Sequence, residues 1–345
     1  MVRQNQAKIG LTAALVVALF ALALQTGRTA PFVSAGVFPD FISMPGVTPR
    51  GVAVDKIGNV YVSVGEVRSN TEYIQVRKFT PAGEQLFSVE IGQGTIGGLT
   101  VTANGDLYIA IAAGSARGVY RMERDGEIEL LPGSSNLFFA NGLAFDDAGT
   151  LYVTESVSLG PGGVGPGSIW RIERGEDAEL WMRDEIFMGT GALGAAVPIG
   201  ANGLAYYHGN LYVANTEQGT IIRIPVEKDG MAGEPEVWPL EEIPESPLEG
   251  LFGPPMGDGI SVDVHGNLYV AVLTRSAVVR INASDRSQQT VALLPSSLLD
   301  FPASLFFGTG KGERTSLFVT NLGLGKWAGP SLVKLNAGVP GDPLH

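Results

Sequence analysis

An alternation of apolar and polar residues, interrupted by a glycine-containing turn, occurs six times along the chain. Typical copies read GVAVDKIGNVYVS and GISVDVHGNLYVA, and the six lie at residues 51–63, 98–110, 142–154, 203–214, 259–271 and 304–320. Side chains that alternate with a period of two around an Asn-Gly or Gly-Asn turn are typical of a β-hairpin. Repetition of the hairpin along the chain indicates a repeat architecture.

A third apolar-polar segment follows each hairpin, as in IQVRKF at 74–79, and a fourth follows in segments such as EQLFSVEI at 84–91. We therefore predict an all-β fold, a six-bladed β-propeller with four antiparallel strands per blade. The sixth copy supplies only three strands. Residues 37–44 are expected to add its missing outer strand, which closes the ring within one domain, residues 36–345.

The first thirty-five residues do not share the repeat. Arg3 and Lys8 precede an uncharged apolar stretch, residues 9–24, and the segment ends in Val33, Ser34 and Ala35, a plausible small-residue cleavage site. This layout is typical of an export signal, and the apolar stretch is shorter than the roughly 20 residues of a membrane-spanning helix. We expect residues 1–35 to be a signal peptide, or an N-terminal anchor if retained. The protein would then be periplasmic or extracellular and would touch a membrane only through this segment.

Composition narrows the possible partners and chemistries. The net charge is −12, there is no cysteine, and there are three histidines. An acidic chain is poorly suited to the phosphate backbone of nucleic acids, and the lack of cysteine excludes thiol catalysis, disulfides and zinc-cysteine sites. We therefore expect no nucleic-acid partner. We also expect a monomer that acts on a small, partly apolar molecule and has no site for an organic cofactor.

The residue before each inner strand is expected at the top of the central tunnel, because each inner strand starts there. These residues are Arg50, Gly97, Asn141, Asn202, Asp258 and Ala303. One interpretation is that Asn and Asp accept local backbone hydrogen bonds and that the glycine after them tolerates a special backbone angle. The other, favoured by three consecutive blades, is a site in which two amide oxygens and a carboxylate bind calcium or another divalent cation.

Further polar residues end the second strands of three blades, namely Glu155, Asn215 and Asn321. We expect them to line the same site from an outer ring, although Glu155 could equally be a solvated acid on the rim. The two longest links between blades, residues 183–201 and 239–257, carry apolar residues among glycines and prolines. They are expected to wall a ligand site, or to pack on each other as a cap.

The segments NGLAFD at 141–146, NGLAY at 202–206 and GDGISVD at 257–263 resemble the senescence marker protein/gluconolactonase (regucalcin-like) family. More distantly, the chain is similar to NHL-repeat, paraoxonase and strictosidine-synthase propellers. The family resemblance covers residues 36–340 and implies a propeller that hydrolyses lactones or related esters with one calcium ion at the tunnel mouth. It implies Asn141, Asn202 and Asp258 as metal ligands, with Asp258 also the catalytic acid/base or nucleophile.

Blade one departs from the family pattern. Arg50 or Pro49 stands where the resemblance implies a metal-binding glutamate. The guanidinium of Arg50 repels a cation and can pair with Asp258 instead. Alternatively, Arg50 points out of the tunnel, and a water or Glu155 completes the metal shell. We therefore keep a calcium-assisted hydrolase of a small lactone or ester as the first hypothesis. The alternatives are a metal-free propeller that binds a ligand or a protein, and a metal-free enzyme of the strictosidine-synthase type.

Overall fold

The computed structural model describes residues 40–160 and 163–345, so the predicted export segment, residues 1–35, lies outside the described residues. Strands account for most of the regular structure, with short 3-10 helices at Ser134–Asn136, Glu185–Phe187 and Leu273–Arg275. The strands are β1 (Phe41–Ser43), β2 (Thr48–Val54), β3 (Val60–Arg68), β4 (Thr71–Phe79), β5 (Gln85–Gln93), β6 (Thr95–Val101), β7 (Leu107–Ala112), β8 (Gly118–Met122), β9 (Ile128–Leu130), β10 (Ala140–Phe145), β11 (Leu151–Glu155), β12 (Ser158–Gly160), β13 (Gly163–Gly165), β14 (Ser168–Ile172), β15 (Glu179–Arg183), β16 (Ala201–Tyr207), β17 (Asn210–Asn215), β18 (Thr220–Pro225), β19 (Glu236–Pro239), β20 (Gly257–Val262), β21 (Leu268–Val272), β22 (Ala277–Ile281), β23 (Gln288–Leu293), β24 (Pro302–Phe307), β25 (Ser316–Asn321) and β26 (Ser331–Asn336).

Six four-stranded antiparallel sheets form the blades of a propeller, as the repeat predicts. In chain order they are β2-β3-β4-β5, β6-β7-β8-β9, β10-β11-β14-β15, β16-β17-β18-β19, β20-β21-β22-β23 and β24-β25-β26-β1. The inner strands β2, β6, β10, β16, β20 and β24 surround the tunnel. Their hairpin turns lie at its bottom, and their first residues lie at its mouth.

The N-terminal segment closes the ring. β1 pairs with β26 from Phe41 opposite Val333 to Ser43 opposite Ser331, and the N–H of Met44 donates to the carbonyl of Pro330 at 2.8 Å. This pairing covers the outer edge of the sixth blade, which would otherwise expose unpaired backbone groups. The predicted closure by the N-terminal segment is confirmed at Phe41–Ser43.

The apolar core is divided among the interfaces between neighbouring blades. The second strands β11 and β21 are buried along their whole length, because each lies between two other blades. Apolar side chains of adjacent blades pack together at these interfaces. For example, one cluster contains Ile221 and Trp238 of blade four and Val270 of blade five. The blades therefore stabilise one another through these interfaces.

One feature of the fold was not predicted. The glycine-rich link of blade three forms a separate two-stranded sheet from β12 and β13, with Leu159 opposite Val164.

Over residues 40–160 and 163–345, no helix has both the length and the apolar character that crossing a membrane requires.

Candidate functional site

Each inner strand is interrupted by a bulge at the residue expected at the tunnel mouth. The pairing of β10 with β11 shifts between Ala140 and Leu143, and that of β16 with β17 shifts between Ala201 and Leu204. The other four inner strands have a register shift at the corresponding place. A bulge interrupts the backbone pairing of two strands and redirects the side chains of the bulged residues. The mouth residues are therefore not paired with the second strand of their blade.

The glycine after each polar mouth residue has a packing role. A Cβ atom on Gly142 would lie 2.3 Å from the carbonyl oxygen of Asn202, and one on Gly203 would lie 2.0 Å from that of Asp258. Neither glycine has a φ angle in the left-handed region. The special backbone angle that we considered is therefore absent at these two glycines, which are required because the inner strands approach one another closely around the tunnel.

A cavity of about 140 Å³ runs between the six inner strands. Its wall at the mouth includes Arg50, Asn141, Asn202 and Asp258. The structure thus brings together, from four different blades, the four residues on which the sequence hypotheses depend. Their roles in catalysis or metal binding stay predictions.

Asp258 is the acid of this cavity, and it is 9% exposed. Burial raises the pKa of Asp258 from 3.8 to about 7, although the charge of Arg50 and a hydrogen bond from Asn202 both lower it. Desolvation dominates because the ionised carboxylate loses its hydration in the cavity. Asp258 can therefore gain and lose a proton near neutral pH.

The two asparagines are oriented by hydroxyl groups. Nδ2 of Asn141 donates to Oγ of Ser156 at 3.1 Å, and Nδ2 of Asn202 donates to Oγ1 of Thr216 at 2.9 Å. Thr216 in turn donates to the carbonyl of Gly257 at 2.8 Å. Each of these bonds uses one N–H of the amide group and fixes the orientation of the asparagine side chain.

Buried hydroxyls also hold the backbone of the mouth. Oγ1 of Thr154 accepts from the N–H of Gly142 at 2.7 Å and donates to the carbonyl of Asn202 in the next blade at 2.6 Å. Thr320 similarly donates to the carbonyl of Arg50. Sequence analysis missed these residues. The signal was a serine or threonine at one repeat position, two residues after the aromatic of the second strand, in blades one, three and six.

Arg50 acts on two carboxyl groups. Its positive charge lowers the pKa of Asp258 and also that of Glu72, whose pKa is nevertheless raised by burial. Glu72 lies on β4 and was not predicted as a site residue. The charge of Arg50 therefore acts on an acid of blade five and on an acid of its own blade.

Glu155 binds the backbone and side chains of its own blade. Its Oε1 accepts from the N–H of Phe138 at 2.8 Å, and its Oε2 accepts from Oγ of Ser168 at 2.6 Å and Nε1 of Trp170 at 3.2 Å. It is 2% exposed. Glu155 is therefore not a solvated acid on the rim. Its carboxylate accepts these hydrogen bonds within the blade and does not line the cavity.

The other two residues of the expected outer ring hold top-face loops. Nδ2 of Asn215 donates to the carbonyl of Met188 at 3.1 Å, and Oδ1 of Asn321 accepts from the N–H of Asp300 at 3.0 Å. Their side chains fix the links that precede the mouth residues Asn202 and Ala303. Neither belongs to the lining of the described cavity.

The two long links on the top face are fixed by buried charges. Glu217 accepts from the N–H groups of Gly191 and Leu193 in the link 183–201. Arg275, which is 1% exposed, donates to the carbonyls of Phe252 and Gly253 in the link 239–257 and pairs with Glu242 at 2.9 Å. These links are therefore ordered parts of the top face.

In the part of the chain that the structure describes, one group of at least three acids or histidines is close enough to share a metal ion. It consists of Glu123, Asp125 and Glu127 in the turn between β8 and β9, mostly exposed. Exposed acidic groups are common without an ion, and these residues do not line the tunnel.

Comparisons with known proteins identify the fold. No protein-family model and no curated protein matches the chain. Among solved structures, a luciferin-regenerating enzyme is 16% identical with a TM-score of 0.62, covering 86% of this chain and 94% of its own. A gluconolactonase from Xanthomonas campestris is 18% identical with a TM-score of 0.57, covering 86% of this chain and 87% of its own. The calcium-binding protein regucalcin from Agrobacterium tumefaciens is 16% identical with a TM-score of 0.57, covering 90% of this chain and 97% of its own. The chain therefore has the six-bladed propeller fold of the luciferin-regenerating enzyme, gluconolactonase and regucalcin structures.

Proposed function

We propose that the tunnel mouth is the active site of a hydrolase that opens a small lactone or ester. The observation that carries this proposal is the placement of Asp258, with a pKa of about 7, in one cavity wall with Arg50, Asn141 and Asn202. A base with a pKa near neutral is well matched to proton transfer in water. The similar structure named as a gluconolactonase supports the substrate class by analogy of fold.

The residues of the mouth can be assigned to the steps of hydrolysis. Ionised Asp258 accepts a proton from water as the water oxygen bonds to the carbonyl carbon. The negative charge that develops on the carbonyl oxygen is stabilised by the guanidinium of Arg50, which has five N–H donors and can bind more than one acceptor. The bond between the carbonyl carbon and the ring oxygen then breaks, and Asp258 returns its proton to that oxygen. The amide oxygens of Asn141 and Asn202 orient the water and the substrate hydroxyls.

Calcium assistance, which the family resemblance implies, does not fit the donor set of this mouth. The mouth residues named above offer two amides and one carboxyl group, so waters would have to supply the rest of the six to eight oxygen ligands that calcium takes. Blade one adds the cation of Arg50, whose charge already acts on Asp258, so a divalent ion would be repelled and would compete for the same carboxylate. We therefore assign no step to a metal.

Turnover by the full-length chain tests the proposal. We expect the protein to hydrolyse δ-gluconolactone, γ-butyrolactone or p-nitrophenyl acetate, with acid release as the readout. The activity should persist in excess EDTA. Asp258→Asn should lower kcat/KM by about two to four orders of magnitude, the usual contribution of a general base. Asp285→Asn, which changes an exposed acid in a blade-five turn, is the matched control and should retain activity. Equal activity of Asp258→Asn and the wild type would refute the assignment.

A calcium titration separates the metal-free site from the family's metal site. We expect no calcium binding at the mouth of the wild type and a gain of binding in Arg50→Glu, which supplies the missing carboxylate. Tight calcium binding by the wild type that disappears in Asp258→Asn would overturn the metal-free assignment. If a lactone raises the melting temperature but is not hydrolysed, the result would favour a propeller that binds its ligand without catalysis. The charge interaction between Arg50 and Asp258 also supports that function.

We also propose that the chain is exported through residues 1–35 and acts as a monomer. The layout of the segment supports export. N-terminal sequencing of the protein from an exporting host should show a start near Gly36, and size-exclusion chromatography should give the mass of one chain. An intact N-terminus on a soluble cytoplasmic protein would argue against export.

A further inference from the structure

The last residues of the chain cross the bottom of the propeller. We call residues 340–345 the C-terminal strap. At its first end, the carbonyl of Pro340 accepts from the N–H of Val264 at 3.1 Å, and the N–H of Gly341 donates to the carbonyl of Arg314 at 3.1 Å. The N–H of Asp342 donates to the carbonyl of Val262 at 2.9 Å. The strap is therefore attached to the hairpins of blades five and six.

The other end of the strap is held on the opposite side of the tunnel. The carbonyl of His345 accepts from the N–H of Ala103 in blade two at 2.9 Å. Its Nδ1 lies 3.3 Å from Oδ1 of Asp147 in blade three, and its ring contacts Tyr206 of blade four edge-on, with centroids 5.8 Å apart. Leu344 packs against the apolar cluster between blades one and two. The strap thus spans the opening from one side to the other.

The strap and the tunnel mouth line the same cavity. Besides Arg50 and Asp258, the lining of the 140 Å³ space includes Asp342, Pro343, Leu344 and His345. The wall between these ends is mainly apolar, with Leu99, Leu143, Leu204 and Ile260 among its residues. A group that enters past the polar mouth residues would meet apolar side chains next and the strap last.

We propose that the C-terminal strap is the floor of the substrate tunnel and sets the length of the substrate group that can enter from the mouth. The inference rests on the proposed hydrolase function for its substrate class, which it narrows to lactones or esters with a short apolar substituent. The cavity is smaller than the roughly 300–1,000 Å³ of typical ligand sites. The strap is attached at both ends, so a weakly bound ligand does not displace it.

Thiol labelling tests the floor without reference to activity. The chain has no cysteine, so Ser261→Cys places a single thiol on the tunnel wall near Asp342. We expect a polyethylene glycol maleimide, too bulky to pass along the tunnel, to label this thiol slowly in the full chain. Labelling should be faster by an order of magnitude or more in a chain that ends at Val339. Ser284→Cys, in an exposed turn, should be labelled at the same rate in both. Equal rates at position 261 would overturn the floor.

A series of γ-lactones with alkyl chains of increasing length tests the role in specificity. The wild type should act on the short members and reject the long ones, and Leu344→Ala, which keeps the backbone contacts of the strap, should accept longer chains. Val291→Ala, an exposed apolar truncation on β23, should leave the length profile unchanged. If no lactone is hydrolysed, the proposed function fails. The length limit can then still be measured from the rise in melting temperature that each lactone of the series causes. An identical length profile in Leu344→Ala and the wild type would overturn the proposal even if the labelling result holds.

Discussion

Replacing Asp258 by asparagine should stabilise the protein at alkaline pH. Burial raises the pKa of Asp258 from 3.8 to about 7, so between these pH values the folded protein holds a proton that the unfolded chain has released. The free energy of unfolding therefore falls as the pH rises through this range. At about 1.4 kcal/mol per pH unit, the whole range corresponds to about 4 kcal/mol. Asparagine has nearly the same shape and cannot ionise, so it removes this dependence.

Denaturant unfolding of the wild type and Asp258→Asn at about pH 5 and about pH 8 measures the effect. The advantage of the variant should be larger at the higher pH by about 3 kcal/mol, because the wild type loses its bound proton between the two conditions. Asp285→Asn is the control. The pKa of that exposed acid is lowered, so its ionisation does not change over this range. A difference below about 1 kcal/mol, or one of opposite sign, would refute the burial of an ionisable Asp258 at the mouth.

Three further predictions concern the mouth and the closure of the ring. Arg50→Gln removes the charge that lowers the pKa of Asp258, so the rising limb of the pH–rate profile should move to higher pH, whereas Arg50→Lys should move it less. Gly203→Ala places a Cβ atom 2.0 Å from a carbonyl oxygen of the next blade and should lower the free energy of unfolding by at least about 2 kcal/mol, as measured by denaturant titration. A chain that starts at Pro45 lacks β1 and leaves the edge of β26 unpaired. It should melt at a lower temperature than the full chain, and equal melting temperatures would contradict the closure.

The architecture could be predicted because its signals are local. Each blade repeats a period-two pattern around a turn, and the short count of the sixth copy predicts that another segment must complete it. Phe41–Ser43 provides that strand. The positions of Arg50, Asn141, Asn202 and Asp258 at one end of the tunnel also follow, because equivalent positions of a closed repeat converge on its axis.

The behaviour of individual side chains could not be predicted from the pattern. Glu155, Asn215 and Asn321 occupy equivalent repeat positions, yet each binds at least one loop group that no repeat specifies. The role of Gly142 likewise depends on how closely the next inner strand approaches. The periodicity of one strand carries no information about that distance.

The propeller, its six blades, the strand that closes it and the polar residues at the mouth can all be inferred from local alternation repeated along the chain. Two features cannot be inferred in this way: the pKa near neutral that burial gives Asp258 in the presence of Arg50, and the passage of residues 340–345 beneath the tunnel. Both depend on contacts between residues far apart in the chain. Desolvation and long-range packing are set by the surroundings that the closed ring creates, and no local pattern records them.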